Sequence, residues 1–302
     1  MVDTKVSLAG VVLDNPIIPA SGTFGFGKEF AELYDISKLG SISFKGTTVE
    51  PRTGNAQPRI ADCKAGMLNA VGLQNPGVDA VLAEEIPELA KIFPKPLIAN
   101  ISGFSEEEFV RLAEAMDSEP AVGIIEVNVS CPNVHAGGVN FASDRKETEK
   151  ITAAVRKATK KPVFVKLSPN VTDIADMAKG CEAAGADGIS LINTLLGMRI
   201  DIKRRKPVLA NRYGGYSGPG IFPVALRMVD QVRHAVDLPI IGMGGISTAD
   251  DIIEMVMAGA SAVQIGAANL VDPWTCIRLV DELPARMEEL GIKSLDEIRG
   301  IA

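Results

Sequence analysis

Residues 239–267 read PIIGMGGISTADDIIEMVMAGASAVQIGA, and the fold turns on how this stretch is parsed. A short apolar run, 239–243, ends in the pair Gly244-Gly245. Ser247-Thr248 and then Asp250-Asp251 follow, a capping hydroxyl succeeded by acids where the positive end of a helix dipole favours them. Residues 249–259 carry apolar side chains at three- and four-residue spacing, as in a helix with one buried face. Gly259 stands where a left-handed residue past a helix end belongs, and a second apolar run, 262–265, ends again in glycine, Gly266. The stretch is one strand–helix–strand unit.

The same alternation recurs on both sides of it. Apolar runs occur at 16–20, 41–44, 97–101, 124–129, 163–167 and 188–192, rich in Ile and Val and without the polar alternation of a half-exposed sheet. Such runs suit parallel strands buried on both faces. Helical spacing fills 78–91, 106–116, 145–159, 173–184 and 222–236; Ser105 precedes Glu106–Glu108 as another cap, and Gly185 is another stop. Eight strands alternating with helices predict an α/β protein, a (β/α)₈ TIM barrel, as a single domain over residues 1–302. A doubly wound sheet is the alternative, but it normally opens with a glycine-rich dinucleotide turn, and none follows the first strand. Two connections, 46–77 and 194–220, exceed simple turns, and loops of that length in a compact domain are usually functional.

Composition narrows the function classes. With 46% hydrophobic residues, 23% charged and only 5% aromatic, the 302-residue chain can bury one large aliphatic core. A net charge of −7 argues against a nucleic-acid partner, which would require a basic stripe; the densest basic run, Lys203 to Lys206, reads as a solvated loop. Apolar stretches fall short of the roughly 18 to 20 residues that span a bilayer, and the N-terminus lacks the layout of a signal or membrane-surface segment. Cys63, Cys131, Cys181 and Cys276 are widely separated, so neither a disulfide framework nor a metal site is expected, and a reduced, cytoplasmic setting fits.

In a barrel the chemistry sits where strands end. Those ends carry Ala20-Ser21, Lys45-Gly46, Asn100, Asn128, Lys166, Asn193-Thr194, Gly244-Gly245 and Gly266-Ala267. Any one asparagine on its own reads better as a structural turn or cap residue. Two lysines and three asparagines recurring at one end of successive strands read together as a polar pocket for an anionic, amide-bearing ring. The glycine turns after the last two strands either make tight corners or present backbone N–H groups to a phosphate, as barrels often do there. Cys131, in EVNVSCPNVHAGGVNF, lies in a polar stretch at a strand mouth; a thiol with an ordinary pKa of about 8.5 can act as a base when a cation or helix end lowers it. Cys181 and Cys276 sit in helical runs and read as packing residues, Cys63 has no role, His135 reads as solvated or near substrate, and His234 as surface.

The segments NPIIPASGTFGFGKEF, SFKGTT, GMLNAVGLQNPG, NVSCPN, VKLSPN, INTLLGMRID, GGYSGPGI and MGGIST, in this order over about 6–270, closely resemble the class 1B dihydroorotate dehydrogenases, the NAD-linked form of bacteria and archaea. The resemblance implies oxidation of dihydroorotate to orotate in pyrimidine biosynthesis, with Cys131 as general base and FMN as hydride acceptor. It implies substrate contacts at Lys45, Asn69, Ala70, Val71, Gly72, Leu73, Asn128, Asn193 and Thr194. It implies FMN contacts at Ser21, Lys45, Gly46, Asn100, Asn128, Lys166, Ile192, Gly218, Gly244, Gly245, Gly266 and Ala267. The family commonly has threonine where this chain has Ala267, which removes one hydroxyl contact to the phosphate.

The resemblance further implies a separate subunit carrying FAD and a 2Fe-2S iron–sulfur cluster that passes electrons to NAD⁺, in a heterotetramer built on a homodimer of this chain. Pyrimidine-reducing dihydropyrimidine dehydrogenases and fumarate-using class 1A enzymes share parts of the pattern, and a barrel that merely binds flavin would share its glycines. The segment 132–143 is the expected lid over substrate.

Overall fold

Uninterrupted Ile and Val runs have two apolar faces to bury, and in the computed structural model, which describes residues 2–129 and 143–302, they do so as one parallel sheet. Its seven strands run in the order Ile17–Pro19, Ala262–Ile265, Ile240–Met243, Gly188–Leu191, Val163–Lys166, Val122–Asn128, Leu97–Ile101. Every neighbouring pair is parallel.

Residues 40–47 close the ring between its two ends. Gly40 N–H donates to Ile17 O at 3.0 Å and Ser43 N–H to Pro19 O at 3.3 Å; on the other side Ile98 N–H donates to Ile42 O at 2.9 Å and Phe44 N–H to Ile98 O at 3.2 Å. The predicted strand at 41–44 is therefore an eighth station held by isolated bridges rather than a full ladder. Lys45 N–H turns away to Gly25 O at 3.0 Å, which interrupts the pairing. The fold is the TIM barrel predicted from the alternation.

The helices follow the caps. Ser105 accepts from Glu108 N–H ahead of Glu106–Asp117, Asp144 from Lys146 and Glu147 N–H ahead of Arg145–Ala158, and Asp173 from Asp176 N–H ahead of Ile174–Ala183. Thr248 and Asp251 form a reciprocal capping box at the start of Ala249–Met257. Gly185 and Gly259 take positive φ of 91° and 118° past their helices. The single helix expected over 78–91 is instead α over Val78–Ala80, a π turn over Val81–Glu85 and α again over Ile86–Ile92. Pro87 explains the wide turn: it lacks an N–H, and its ring crowds the carbonyl four residues back.

Among the elements unrecognised in the sequence, three bear on the core or the cavity. A hairpin, Val6–Leu8 with Val11–Leu13, precedes the first barrel strand and buries Val6, Leu8 and Leu13 in the main core. The helix Thr275–Glu289, with Pro284 inside it, buries Cys276, Leu279, Leu283 and Met287. The two long connections also pair with each other. Leu195–Gly197, Gly214–Ser217, Gly66–Asn69 and Ile60–Cys63 form an antiparallel sheet in that order. No helix among the described residues is long and apolar enough to cross a membrane.

Candidate active site

Strand ends and the antiparallel sheet above them enclose a cavity of about 270 Å³. The barrel strands supply its floor: Asn100, Asn128, Lys166, Ile192 and Met243. Ala20, Ser21, Lys45 and Gly46 come from the first two barrel stations, and Asn193 and Thr194 from the sixth. Ile60, Met67, Asn69, Tyr216, Ser217 and Gly218 line it from the antiparallel sheet and its end. The roof therefore exists only because residues 66–69 and 214–217 find each other, far apart in sequence.

At the far side are the two glycine turns, Gly244-Gly245 and Gly266-Ala267. Gly244 and Gly245 have φ of 125° and 80°, and a Cβ at Gly245 would come within 2.8 Å of the Phe222 amide nitrogen, so no other residue fits there without a shift. Backbone N–H groups of Gly244, Gly245, Gly266 and Ala267 have no backbone acceptor among the described residues. These turns, rather than the start of Ala249–Met257, face the cavity. The start of Ala249–Met257 is occupied by its own Asp251 carboxylate, which accepts from Ser247 N–H at 2.8 Å and Thr248 N–H at 2.9 Å.

The stretch 69–73 is pinned from behind. Asn55 donates through Nδ2 to Ala70 O at 2.9 Å, and Asn75 donates to Leu73 O at 2.7 Å while accepting from Thr48 N–H and Gly77 N–H. Gly72 and Leu73 both sit at positive φ, 78° and 58°. Asn69, Val71, Gly72 and Leu73 line the cavity; Ala70 does not, being fully buried in a small cluster with Leu68 and Leu209. Asn193 donates to Asn128 Oδ1 at 3.3 Å and accepts from Thr194 N–H at 2.8 Å, and Asn170 ties the next loop by donating to Thr194 O at 3.1 Å and accepting from Leu196 N–H at 2.8 Å.

Beneath the floor lies a polar network that sequence reading missed. Glu126, wholly buried, accepts from Asn100 Nδ2 at 2.6 Å, Ser43 Oγ at 3.2 Å and Gln264 Nε2 at 2.7 Å. Lys166 Nζ lies 3.8 Å from its Oε2. Asn100 Oδ1, Ser102 Oγ, Ser190 Oγ and Gln264 Oε1 are buried with no hydrogen-bond partner among the described residues. The signal was available: a carboxylate in the apolar run 122–128 shares its strand face with Asn128 and cannot be a casual core residue. An ammonium this deep with a long ion pair, and an unpaired carbonyl oxygen lining the same cavity, call for a ligand that brings acceptors and a donor.

The described cysteines all have thiols shifted upward, away from base function. Burial pushes the thiols of Cys181 and Cys276 up to about 12, and Cys63 is shifted upward too. His234 is exposed on the end of its helix, its Nδ1 2.9 Å from Asp230 O. Cys131, His135 and nearly all of the expected lid at 132–143 lie outside the described residues.

Residues 3–287 match the family model described as dihydroorotate dehydrogenase. The chain belongs to the dihydroorotate dehydrogenase family. Among its relatives in that family is a protein of Enterococcus faecalis (strain ATCC 47077 / OG1RF) named dihydroorotate dehydrogenase B (NAD(+)), catalytic subunit, 56% identical over 293 residues, covering 97% of this chain and 94% of the relative. Proteins of the same name from Geobacillus sp. (strain WCH70) and Bacillus mycoides (strain KBAB4) are 55% and 53% identical, each covering 98% of this chain and 94% and 96% of their own lengths. In this dihydroorotate dehydrogenase family member the sequence-predicted site residues, Ala70 and Cys131 apart, line one cavity.

Proposed function

We propose that this chain is the catalytic subunit of an NAD⁺-linked dihydroorotate dehydrogenase, oxidising (S)-dihydroorotate to orotate in pyrimidine biosynthesis, with FMN held in the cavity over the barrel. The observation that carries the reading is the cavity floor: a buried Lys166 ammonium whose ion pair among the described residues is 3.8 Å long, and an Asn100 Oδ1 with no partner among them. The relatives' shared name supports the same activity.

The residues present fit FMN. Its ring has a polar edge of alternating carbonyls and nitrogens, which Lys166 and Asn100 complement, and its phosphate suits the N–H groups of the two glycine turns. Ser21, Lys45, Gly46, Asn128, Ile192 and Gly218 would border the ring and its side chain. FMN supplies the hydride acceptor when bound.

The protein's own task is to place dihydroorotate and take a proton from it. The carbon beside the ring carbonyl must lose a proton while the adjacent carboxylate-bearing carbon loses a hydride. Asn69, Asn128, Asn193 and Thr194 offer donors and acceptors for the ring amides and the carboxylate, and Lys45 a positive charge. Val71, Gly72 and Leu73 form the wall that keeps the reacting carbons in register, with Ala70 holding that wall from behind. Cys131, three residues past Asn128, is the proposed base on its sequence position.

Electrons then leave through a separate subunit carrying FAD and an iron–sulfur cluster, in a cytoplasmic heterotetramer built on a dimer of this chain. The test is an anaerobic absorbance spectrum of the purified, FMN-loaded chain before and after dihydroorotate. Bleaching is expected. A flavin that stays oxidised with dihydroorotate, yet bleaches when a dihydropyrimidine lacking the carboxylate is added, would overturn the substrate assignment.

A further inference from the structure

The buried carboxylate of Glu126 has surroundings that go beyond packing. Donors reach it from three stations of the barrel besides its own: Ser43 from 41–44, Asn100 from Leu97–Ile101 and Gln264 from Ala262–Ile265. Lys166, on Val163–Lys166, stands 3.8 Å away. A carboxylate that only accepts chooses which end of the Asn100 carboxamide faces it. Nδ2 is taken at 2.6 Å, so Oδ1 must point the other way. There it lies against Gly46, where a Cβ would come within 2.8 Å of it, and has no partner among the described residues. The 3.8 Å separation from Lys166 is longer than a charge-assisted hydrogen bond of about 2.7–2.9 Å, so the ammonium is neutralised in part and its N–H groups remain available.

We propose that Glu126 is a positioning residue that sets the polarity of the cavity floor: a fixed acceptor at Asn100 and a tempered cation at Lys166. A floor of that polarity selects a cyclic imide edge, an N–H flanked by carbonyls, over an edge of acceptors alone. This rests on the flavin reading, in which the edge belongs to FMN. Glu126 touches neither flavin nor substrate and acts through its two neighbours.

The experiment uses the full chain, stripped of flavin and titrated with FMN and with its N3-methyl analogue, followed by flavin fluorescence, together with the midpoint potential of the FMN-loaded protein. Wild type is expected to bind FMN at least tenfold more tightly than the N3-methyl form. In Glu126→Gln, whose amide can present either end to Asn100, that preference falls towards unity. The potential of Glu126→Gln moves positive, because Lys166 loses its counter-charge and favours the reduced, more negative flavin. Glu126→Asp keeps the charge on a shorter stem: its potential stays near that of wild type while its preference for FMN weakens. Should Glu126→Gln fail to fold, Glu126→Asp decides by preference alone. Wild-type preference that survives unchanged in the folded variants, or a wild type indifferent to N3-methylation, overturns the proposal. A wild type that binds neither flavin overturns the flavin reading itself.

Discussion

Lys166 and Glu126 are two charges buried in a barrel of aliphatic side chains, and each makes the other tolerable. Desolvating either alone costs several kcal/mol, whereas removing both together leaves no uncompensated charge. Lys166→Met is therefore expected to lower the unfolding free energy by about 3 kcal/mol, and adding Glu126→Gln to recover a good part of that loss. Urea unfolding of the two single variants and the double variant measures the coupling; additive losses would contradict it. The same Lys166→Met change removes the cation from the cavity and is expected to weaken flavin binding even where the double variant has regained stability. At this scale the sequence already exposed Lys45, Asn100, Asn128 and Lys166, because a polar residue at the end of an apolar strand is conspicuous. Glu126 and Gln264 were hidden because they lie within strands, where a single polar letter reads as a break in pattern.

Helices and strands in this barrel are joined by side chains that cap one element and tie down the next. Asp117, at the end of Glu106–Asp117, accepts from the Thr159 hydroxyl at 2.5 Å and from Lys160 N–H at 2.7 Å, fastening the turn that leads into Val163–Lys166. Those hydrogen bonds, the Thr159 hydroxyl foremost, hold its carboxyl below the ordinary value of 3.8. A folded-state value below the unfolded one means that the contribution is complete above that ordinary value and disappears as pH falls through the folded one. Asp117→Asn is thus expected to flatten the loss of thermal stability below about pH 4 relative to wild type, in melting curves taken across that range. A steeper acid limb in the variant would reverse the sign. At the other end of the barrel, Thr248→Ala breaks the capping box and is expected to cost about 1 kcal/mol in chemical denaturation, with flavin affinity unchanged, because the cavity is lined by Gly244 and Gly245 rather than by that helix. The caps were readable in the sequence since they are contacts over three or four residues. The π turn at Val81–Glu85 was not, although Pro87 marked where a regular helix would fail.

Across the whole molecule, one continuous apolar core extends from Val6 to Ile298 and joins the barrel, its helices and the N-terminal hairpin. Among the described residues, only Leu68, Ala70 and Leu209, under the antiparallel sheet, form a separate small cluster. A chain whose elements share one such core is expected to unfold in one cooperative calorimetric transition, with the calorimetric and van't Hoff enthalpies equal. Two resolved transitions would mean that the roof, or some other unit, folds independently.

The amino-acid sequence by itself determined the barrel and most of its mouth. Strand and helix periods, caps and C-terminal glycines are local, and in a parallel barrel every strand end faces the same side, so the residues at those ends must meet. Tertiary structure alone decided what depends on neighbours distant in the chain. It closed the ring through sparse bridges at 40–47, paired 66–69 with 214–217 into a roof, and turned Ala70 away while its neighbours face the cavity. It also gathered Ser43, Asn100 and Gln264 around Glu126, contacts 83, 26 and 138 residues apart. The physical reason is common to all four: which way a side chain faces, and whether its polar atoms find partners, is set by packing between elements and leaves no periodic mark along the chain.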